Sequence, residues 1–214
     1  MERKLIKTHF IETSDNIDEV VSRYVLPIVK EKDIVVFSEK IISIMQGRVI
    51  YKKDLKLGFW AKFLSKFARK TPYGFSVGNP LKMQVAINLA GLPRILLASF
   101  LGGLLKIVGI RGIFYIVAGN QISQIDGFYG EAFPQYSEMG ILGSKDSQRL
   151  CNDLKNKYGF SCAIVDINDL GGNIIGTSDD IKEKGKMILV KLKDNPGGQG
   201  NQQTPIIILR RSIS

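Results

Sequence analysis

The sequence predicts an α/β fold of mixed α+β character, a sheet-based architecture with covering helices, and three observations predict it. Short β-branched or aromatic runs such as Ile34–Phe37, Phe160–Val165 and Pro205–Leu209 suit buried strands. Between them lie segments whose apolar residues recur at helical spacing. The order from Leu5 to Tyr51 is strand, helix, strand, helix, strand, which belongs to neither an all-α nor an all-β chain. With 214 residues, 44% of them hydrophobic, the chain can bury a full core. One domain over 1–214 is expected, with a helical and loop-rich subregion at 55–112.

Leu5–Ile11 reads as the first strand. Ser14 or Asp15 then caps a helix whose apolar residues Ile17, Val20, Val21, Tyr24, Val25 and Ile28 share one face. A polar turn at Lys30–Asp33 leads into Ile34–Phe37. Ser38 caps a short helix bearing Ile41, Ile42 and Met45, Gly47 suits its C′ position, and Arg48–Tyr51 resumes as strand. Between Leu57 and Lys70, Phe59, Trp60, Phe63, Leu64 and Phe67 form an aromatic stripe, with Lys62, Lys66, Arg69 and Lys70 at other positions. Such a helix either lies on a membrane interface or covers a sheet with its lysines in water, and the second is the expectation. Thr71–Pro80, with Pro72, Gly74, Gly78 and Pro80, is a loop long enough to act as a lid over an anionic substrate.

Met83–Val117 is rich in Leu, Ile, Val and Gly. Its longest uncharged run, Ile95–Leu105, is about half the ~20 residues a spanning helix needs, so a buried core helix and no transmembrane segment are expected. Ser144 begins a helix with Leu150, Cys151, Leu154 and Tyr158 on one face and Gly159 as its stop. Phe160–Val165 follows as a strand. Met187–Leu192 reads as another strand, and the glycine-bearing stretch 193–203 as a hairpin connection to Pro205–Leu209, with a nucleotide contact as the other reading.

Thirty Lys and Arg against twenty Asp and Glu leave a net charge of +10, which favours anionic partners. No nucleic-acid motif accompanies that charge, so no specific nucleic-acid partner is expected. Cys151 and Cys162, without a secretory signal ahead of them, fit reduced thiols in the cytoplasm. His9 has no Cys or Asp paired with it nearby in sequence, which argues against a His-based triad and a multi-His zinc site and leaves oxygen-liganded metals. Walker A, GxGxxG, CxxC, HExxH and GxSxG patterns are absent.

Chemistry is expected where apolar runs break into acidic turns. Ala163–Gly172, AIVDINDLGG, carries Asp166 and Asp169 and ends in two glycines, delivering carboxylates to a sheet rim where open α/β folds bind ligands. A second polar turn, Asn120–Gly127, follows the run GIFYIVAG and carries Asp126. Asx-Gly turns after strands are also ordinary punctuation.

Several segments, in order, resemble the coenzyme F-420 gamma-glutamyl ligases. They are Asp33–Val49 (DIVVFSEKIISIMQGRV), Val117–Asp126 (VAGNQISQID), Gly143–Gly172 and Thr204–Arg210 (TPIIILR). The resemblance implies an amide ligase in which GTP phosphorylates a substrate carboxylate and a glutamate amine attacks the acyl phosphate, assisted by Mg²⁺ or Mn²⁺. It implies a metal-ligating role for Asp166; local geometry adds its neighbours Asn168 and Asp169 as candidate co-ligands, and Asp126 of the second turn is the candidate substitute for the aspartate that the family has there. Ser38, Lys40, Ser43 and Arg48 of the first segment, and Ser123 and Gln124 of the second, are the implied nucleotide or substrate contacts. A homodimer is expected by the same likeness. The chain departs from the family pattern at Gln121, a neutral amide following Ala118-Gly119-Asn120 where the family has an aspartate, and in the segment after Asp166. Lys and Arg of the Phe59–Lys70 and Arg94–Arg111 regions would offset substrate phosphate charge. The competing readings are a non-catalytic protein holding a phosphorylated ligand or partner, and charge-driven association with nucleic acid or an anionic membrane.

Overall fold

A computed structural model describes residues 1–68, 77–128, 136–168, 171–198 and 202–210, with only the backbone at Asn168. In chain order the elements are β1 (Glu2–Ile6), α1 (Ile17–Val20, widening into a π-type turn at Val21–Val25), β2 (Ile34–Ser38), α2 (Glu39–Met45) and β3 (Val49–Tyr51). Then follow α3 (Phe59–Ser65), α4 (Pro80–Ala90), α5 (Leu92–Ile107), α6 (Ile113–Ala118) and α7 (Asn120–Ser123). The chain continues through β4 (Asp126–Gly127), β5 (Met139–Ile141), α8 (Ser147–Tyr158), β6 (Ser161–Asn168), β7 (Gly171–Thr177), α9 (Gly185–Leu192) and β8 (Ile206–Arg210). The expected mixed α/β class holds. The contacts divide the chain into two compact units, 1–48 with 144–214 and 49–143.

Unit 1 is built on a five-stranded sheet of order β1-β8-β2-β6-β7, in which β2 and β6 are parallel and the other neighbours antiparallel. Because side chains alternate along a strand, Ile34, Val36, Ala163, Val165, Ile207 and Leu209 share the face that α9 covers with Ile188 and Leu192. Val35, Phe37, Cys162 and Ile164 point to the other face and are equally buried. There Cys162 meets Cys151 of α8, Sγ to Sγ 3.3 Å, and both thiols are free. Burial pushes the Cys162 thiol well up, so it packs as a small apolar group. Edge strand β1 exposes Arg3 and Lys4, charges that discourage pairing with another chain.

The structure departs from the sequence expectations at several elements. β1 ends at Ile6 rather than running through Ile11, and the cap of α1 is Asn16, whose side chain accepts from the Asp18 N–H. Asp15 is otherwise engaged. Its carboxylate accepts from the Glu12 N–H at 2.7 Å and pairs with His9 Nε2 at 2.9 Å, so His9 does have an aspartate partner, and its Nδ1 lies 2.7 Å from the Tyr24 hydroxyl. Met187–Leu192 is helix: Ile188 and Leu192 face the core while Val190 is exposed, a four-residue spacing that alternation does not produce. Gly171–Thr177 is a strand, and the glycine-bearing stretch joins α9 to β8 instead of closing a hairpin. Residues 199–201 of that stretch lie outside the described residues.

Unit 2 packs α3 to α7 with a small sheet of order β3-β5-β4. Its core joins Ala61, Leu64, Met83, Val85, Ala86, Ile95, Ala98, Ala118 and Ile122. GIFYIVAG forms α6, ending at Gly119 with φ +109°, rather than a strand. Met83–Val117 holds not one core helix but α4, α5 and most of α6, and α5 buries only Ile95 and Ala98. Among the described residues no single helix is long and apolar enough to cross a membrane; α4 and α5 meet that test only as a pair bent by 118°. The stripe of α3 also differs from expectation: Ala61, Leu64 and Ser65 are its buried face, and the rings point outward. Most of the proposed lid, residues 71–76, falls outside the described residues.

Unit 1 carries acid-sensitive ties. The Asp18 carboxylate bonds Lys157 and the Tyr158 hydroxyl, and these hold it below the ordinary aspartate range. Asp180 is also held low: burial opposes the shift, but bonds from Ser161, Ser178 and Lys155 outweigh it. A carboxylate whose folded pKa is depressed contributes stability above its unfolded pKa and loses it as pH falls through the folded value. Thermal melts are therefore expected to show Tm holding from neutral pH to about 5 and falling below about 4, with Asp18→Asn flattening that fall.

Candidate functional site

The parallel pair β2/β6 sets the site. Their register places Ser38 opposite Val165, so Glu39 and Asp166 each follow one residue beyond the last pair, where the parallel pairing ends; β6 itself continues to Asn168, with Asp166 paired to Asn173 of β7. This is the rim at which open sheets take ligands. β2 stops there because α2 begins at Glu39, after four consecutive buried residues and half-buried Ser38. Period-two alternation puts Asp166 on the same sheet face as Cys162 and Ile164. It continues β6 past the core and is exposed, within the strand rather than in a turn.

Glu39 is the residue that sequence reasoning missed. It is buried, and its Oε1 accepts from the Ser144 N–H at 2.9 Å and the Ser144 hydroxyl at 3.0 Å. The Ser144 Oγ lies 2.6 Å from that of Ser147, the first residue of α8. One carboxylate thus ties the entry of α8 to the end of β2. The signal was present in VVFSE, an acid directly after a buried strand, the same pattern that singled out Asp166.

Of the implied nucleotide contacts, Ser38 and half-buried Lys40 stand at this rim. Ser43 is fully buried within α2, with no hydrogen-bond partner for its hydroxyl. Arg48 lies past the far end of α2, about 10 Å along the axis at 1.5 Å per residue. Ser123 and Gln124 belong to unit 2, where Ser123 is exposed and its hydroxyl donates to the Asn120 carbonyl at 2.7 Å. Gln124 lays its side chain against Gly143.

Asp126 also belongs to unit 2. It is half-buried, and its Oδ1 lies 3.9 Å from the ammonium of Lys82, which is itself 1% exposed. Asp169 lies outside the described residues. Among the described residues no three His, Cys, Asp or Glu side chains gather as a metal cluster. Arg94, one of the expected phosphate-facing cations, donates instead to the Val117 carbonyl at 2.7 Å and holds the end of α6.

An open mixed sheet with a serine, a lysine and two carboxylates at one end of its parallel pair makes this an α/β protein whose candidate site lies at that rim. The sequence model for F420-0:Gamma-glutamyl ligase matches residues 5–165. The chain belongs to that family. The match takes in Ser38, Glu39 and Lys40 and ends one residue before Asp166, so β7, α9 and β8 lie beyond it. No curated protein matches the chain.

Proposed function

We propose that the protein is a carboxylate–amine ligase of the gamma-glutamyl type that uses a divalent metal and GTP or ATP and acts on a phosphorylated small molecule. The observation that carries this reading is the placement of Ser38, Glu39, Lys40 and Asp166 at one end of the parallel pair, in a chain of a ligase family. A site for Mg²⁺ or Mn²⁺ fits the donor set at Asp166. Such ions commonly take one or two carboxylates and fill their remaining positions with water and substrate phosphate, so an exposed carboxylate on a rim suffices without an all-protein cage. Asp126 fits less well, because the Lys82 ammonium already faces it.

In this reading Asp166 holds the metal and Asp169 extends the ligand set. When bound, the ion offsets the charge of the nucleotide phosphates and polarises the phosphoryl group. The Lys40 ammonium adds positive charge beside the same phosphates, and the Ser38 hydroxyl supplies a donor at the strand end. Glu39 acts at one remove by fixing Ser144 and Ser147. A cytoplasmic setting accords with the free Cys151 and Cys162, and a homodimer belongs to the same proposal. Gln121, exposed in unit 2 and an amide where the resemblance implies an aspartate, favours the second reading, a non-catalytic protein that holds a phosphorylated ligand.

Calorimetry with Mg²⁺ and GTP or ATP separates these readings. Asp166→Asn is expected to weaken metal-dependent nucleotide binding by about tenfold or more and to abolish nucleoside diphosphate release in the presence of glutamate and acceptor. Nucleotide binding that persists unchanged in EDTA and in Asp166→Asn, without turnover, would replace the ligase by the binding protein.

A further inference from the structure

Unit 2 turns two apolar stripes outward. In α3 and the turn after it, Phe59, Phe63 and Phe67 recur every fourth residue with Trp60 beside them. Their rings form a continuous cluster, with centroids 5.9 Å apart for Phe59–Phe63, 6.0 Å for Trp60–Phe63 and 5.1 Å for Phe63–Phe67. Phe59 and Phe67 are each 71% exposed. Along α5, Leu97, Phe100, Leu104 and Ile107 recur at three- and four-residue spacing and are 52 to 83% exposed; Val108 and Ile110 continue the exposed run. The packing of unit 2 uses other faces of these helices, Ala61 and Leu64 in α3 and Ile95 and Ala98 in α5. Single exposed apolar residues are ordinary, whereas contiguous stripes mark a surface that something covers.

Charge decides what covers them. Residues 49–143 contain eleven Lys and Arg against four Asp and Glu, so most of the net charge of the chain lies in this unit. Exposed Lys62 and Lys66 alternate with the rings, and exposed Lys106 and Arg111 flank the end of the α5 stripe. A second copy laid on either stripe would bring like charges together at an apolar contact, which is repulsive. An anionic bilayer offers hydrocarbon to the rings and opposite charge to the lysines around them. At seven and sixteen residues the two helices fall short of the ~20 needed to span, which sets the depth at the interface.

We propose that unit 2 docks peripherally on anionic lipid bilayers through the exposed apolar faces of α3 and α5, with the ring cluster around Trp60 as its anchor. Trp60 is the only tryptophan in the chain and so reports on that cluster directly. The full chain is mixed with vesicles of phosphatidylcholine alone or with a minority of phosphatidylglycerol. Anionic vesicles are expected to shift Trp60 emission to the blue, brominated acyl chains to quench it, and added salt to reverse both. The combined substitution Phe59→Ser, Phe63→Ser and Phe67→Ser should weaken sedimentation with anionic vesicles by about tenfold or more, at unchanged far-ultraviolet circular dichroism. Should that variant fail to fold, Leu104→Asp and the quenching of the unaltered chain carry the test. Trp60 emission indifferent to anionic vesicles, or shielded without lipid in a concentration-dependent dimer, overturns the proposal; so does undiminished vesicle binding by the substituted chain.

Discussion

Replacing Gly176 by alanine is expected to cost about 3 kcal/mol or more, at the upper end of what overpacking usually costs. Gly176 pairs with Ile164 of β6 and points to the α8 face of the sheet, where a Cβ would stand 2.5 Å from the carbonyl carbon of Ser147 and 2.6 Å from the amide nitrogen of Gln148. Those are backbone atoms of the first turn of α8, so no side chain can swing aside to relieve the clash. Either α8 lifts from the sheet or β7 bends away, and each route disturbs buried contacts. Lifting α8 also lengthens the 3.2 Å bond from the Thr177 N–H to Gln148 Oε1 and pulls on the Glu39–Ser144 tie. The ladder is already irregular here, because Ile164 pairs with Gly176 while Val165 pairs with Ile174, leaving Ile175 as an extra residue. Urea unfolding of Gly176→Ala, with m unchanged, measures the cost; a loss below about 1 kcal/mol would mean that α8 does not press on β7 as closely as the structure has it.

Why β7 escaped the sequence reading follows from the same residues. GGNIIGT has little strand propensity of its own, and its pairing with β6 and its closeness to α8 hold it, both of which are tertiary facts. β2 was legible because four consecutive buried residues, Ile34 to Phe37, admit few other structures. MILVKL and GIFYIVAG are short apolar runs in which helix and strand cannot be told apart by periodicity, and both became helices. For α3, spacing established that the rings share a face, but only the fold fixes which face meets the core, and here small Ala61 and Leu64 do so. At the rim, Asp166 was visible as an acid after an apolar run, whereas its alignment with Ser38 depends on parallel pairing across more than a hundred residues. Asp126 carried the same local signal and lies in the other unit beside a buried ammonium, which no local pattern encodes.

Asp33→Ala is the other change expected to do large damage, about 3 kcal/mol, through loss of a buried carboxylate and the bonds it accepts. Asp33 is 2% exposed, immediately before β2, and the register of β2 with β8 brings Arg210 beside it. The guanidinium donates through Nη2 at 2.7 Å and through Nε at 3.2 Å, and the same carboxylate accepts from the Lys30 N–H at 2.9 Å. Arg210 Nη2 also donates to the Ile28 carbonyl at 2.8 Å, so the pair clamps the loop after α1 to the end of the sheet. Asp33 first, against some desolvation, raises the pKa of Arg210, whose charge therefore persists throughout the accessible range. Removing the carboxylate takes one acceptor from the Lys30 N–H and from a partly exposed guanidinium that keeps the Ile28 carbonyl, and the lost charge-assisted bonds together with the unpaired cation set the cost. If so, Asp33→Leu combined with Arg210→Met should be less destabilising than Asp33→Ala alone, since both charges leave together. A double variant as unstable as the sum of its single changes would instead mean that the two side chains act independently and that the clamp contributes nothing as a unit.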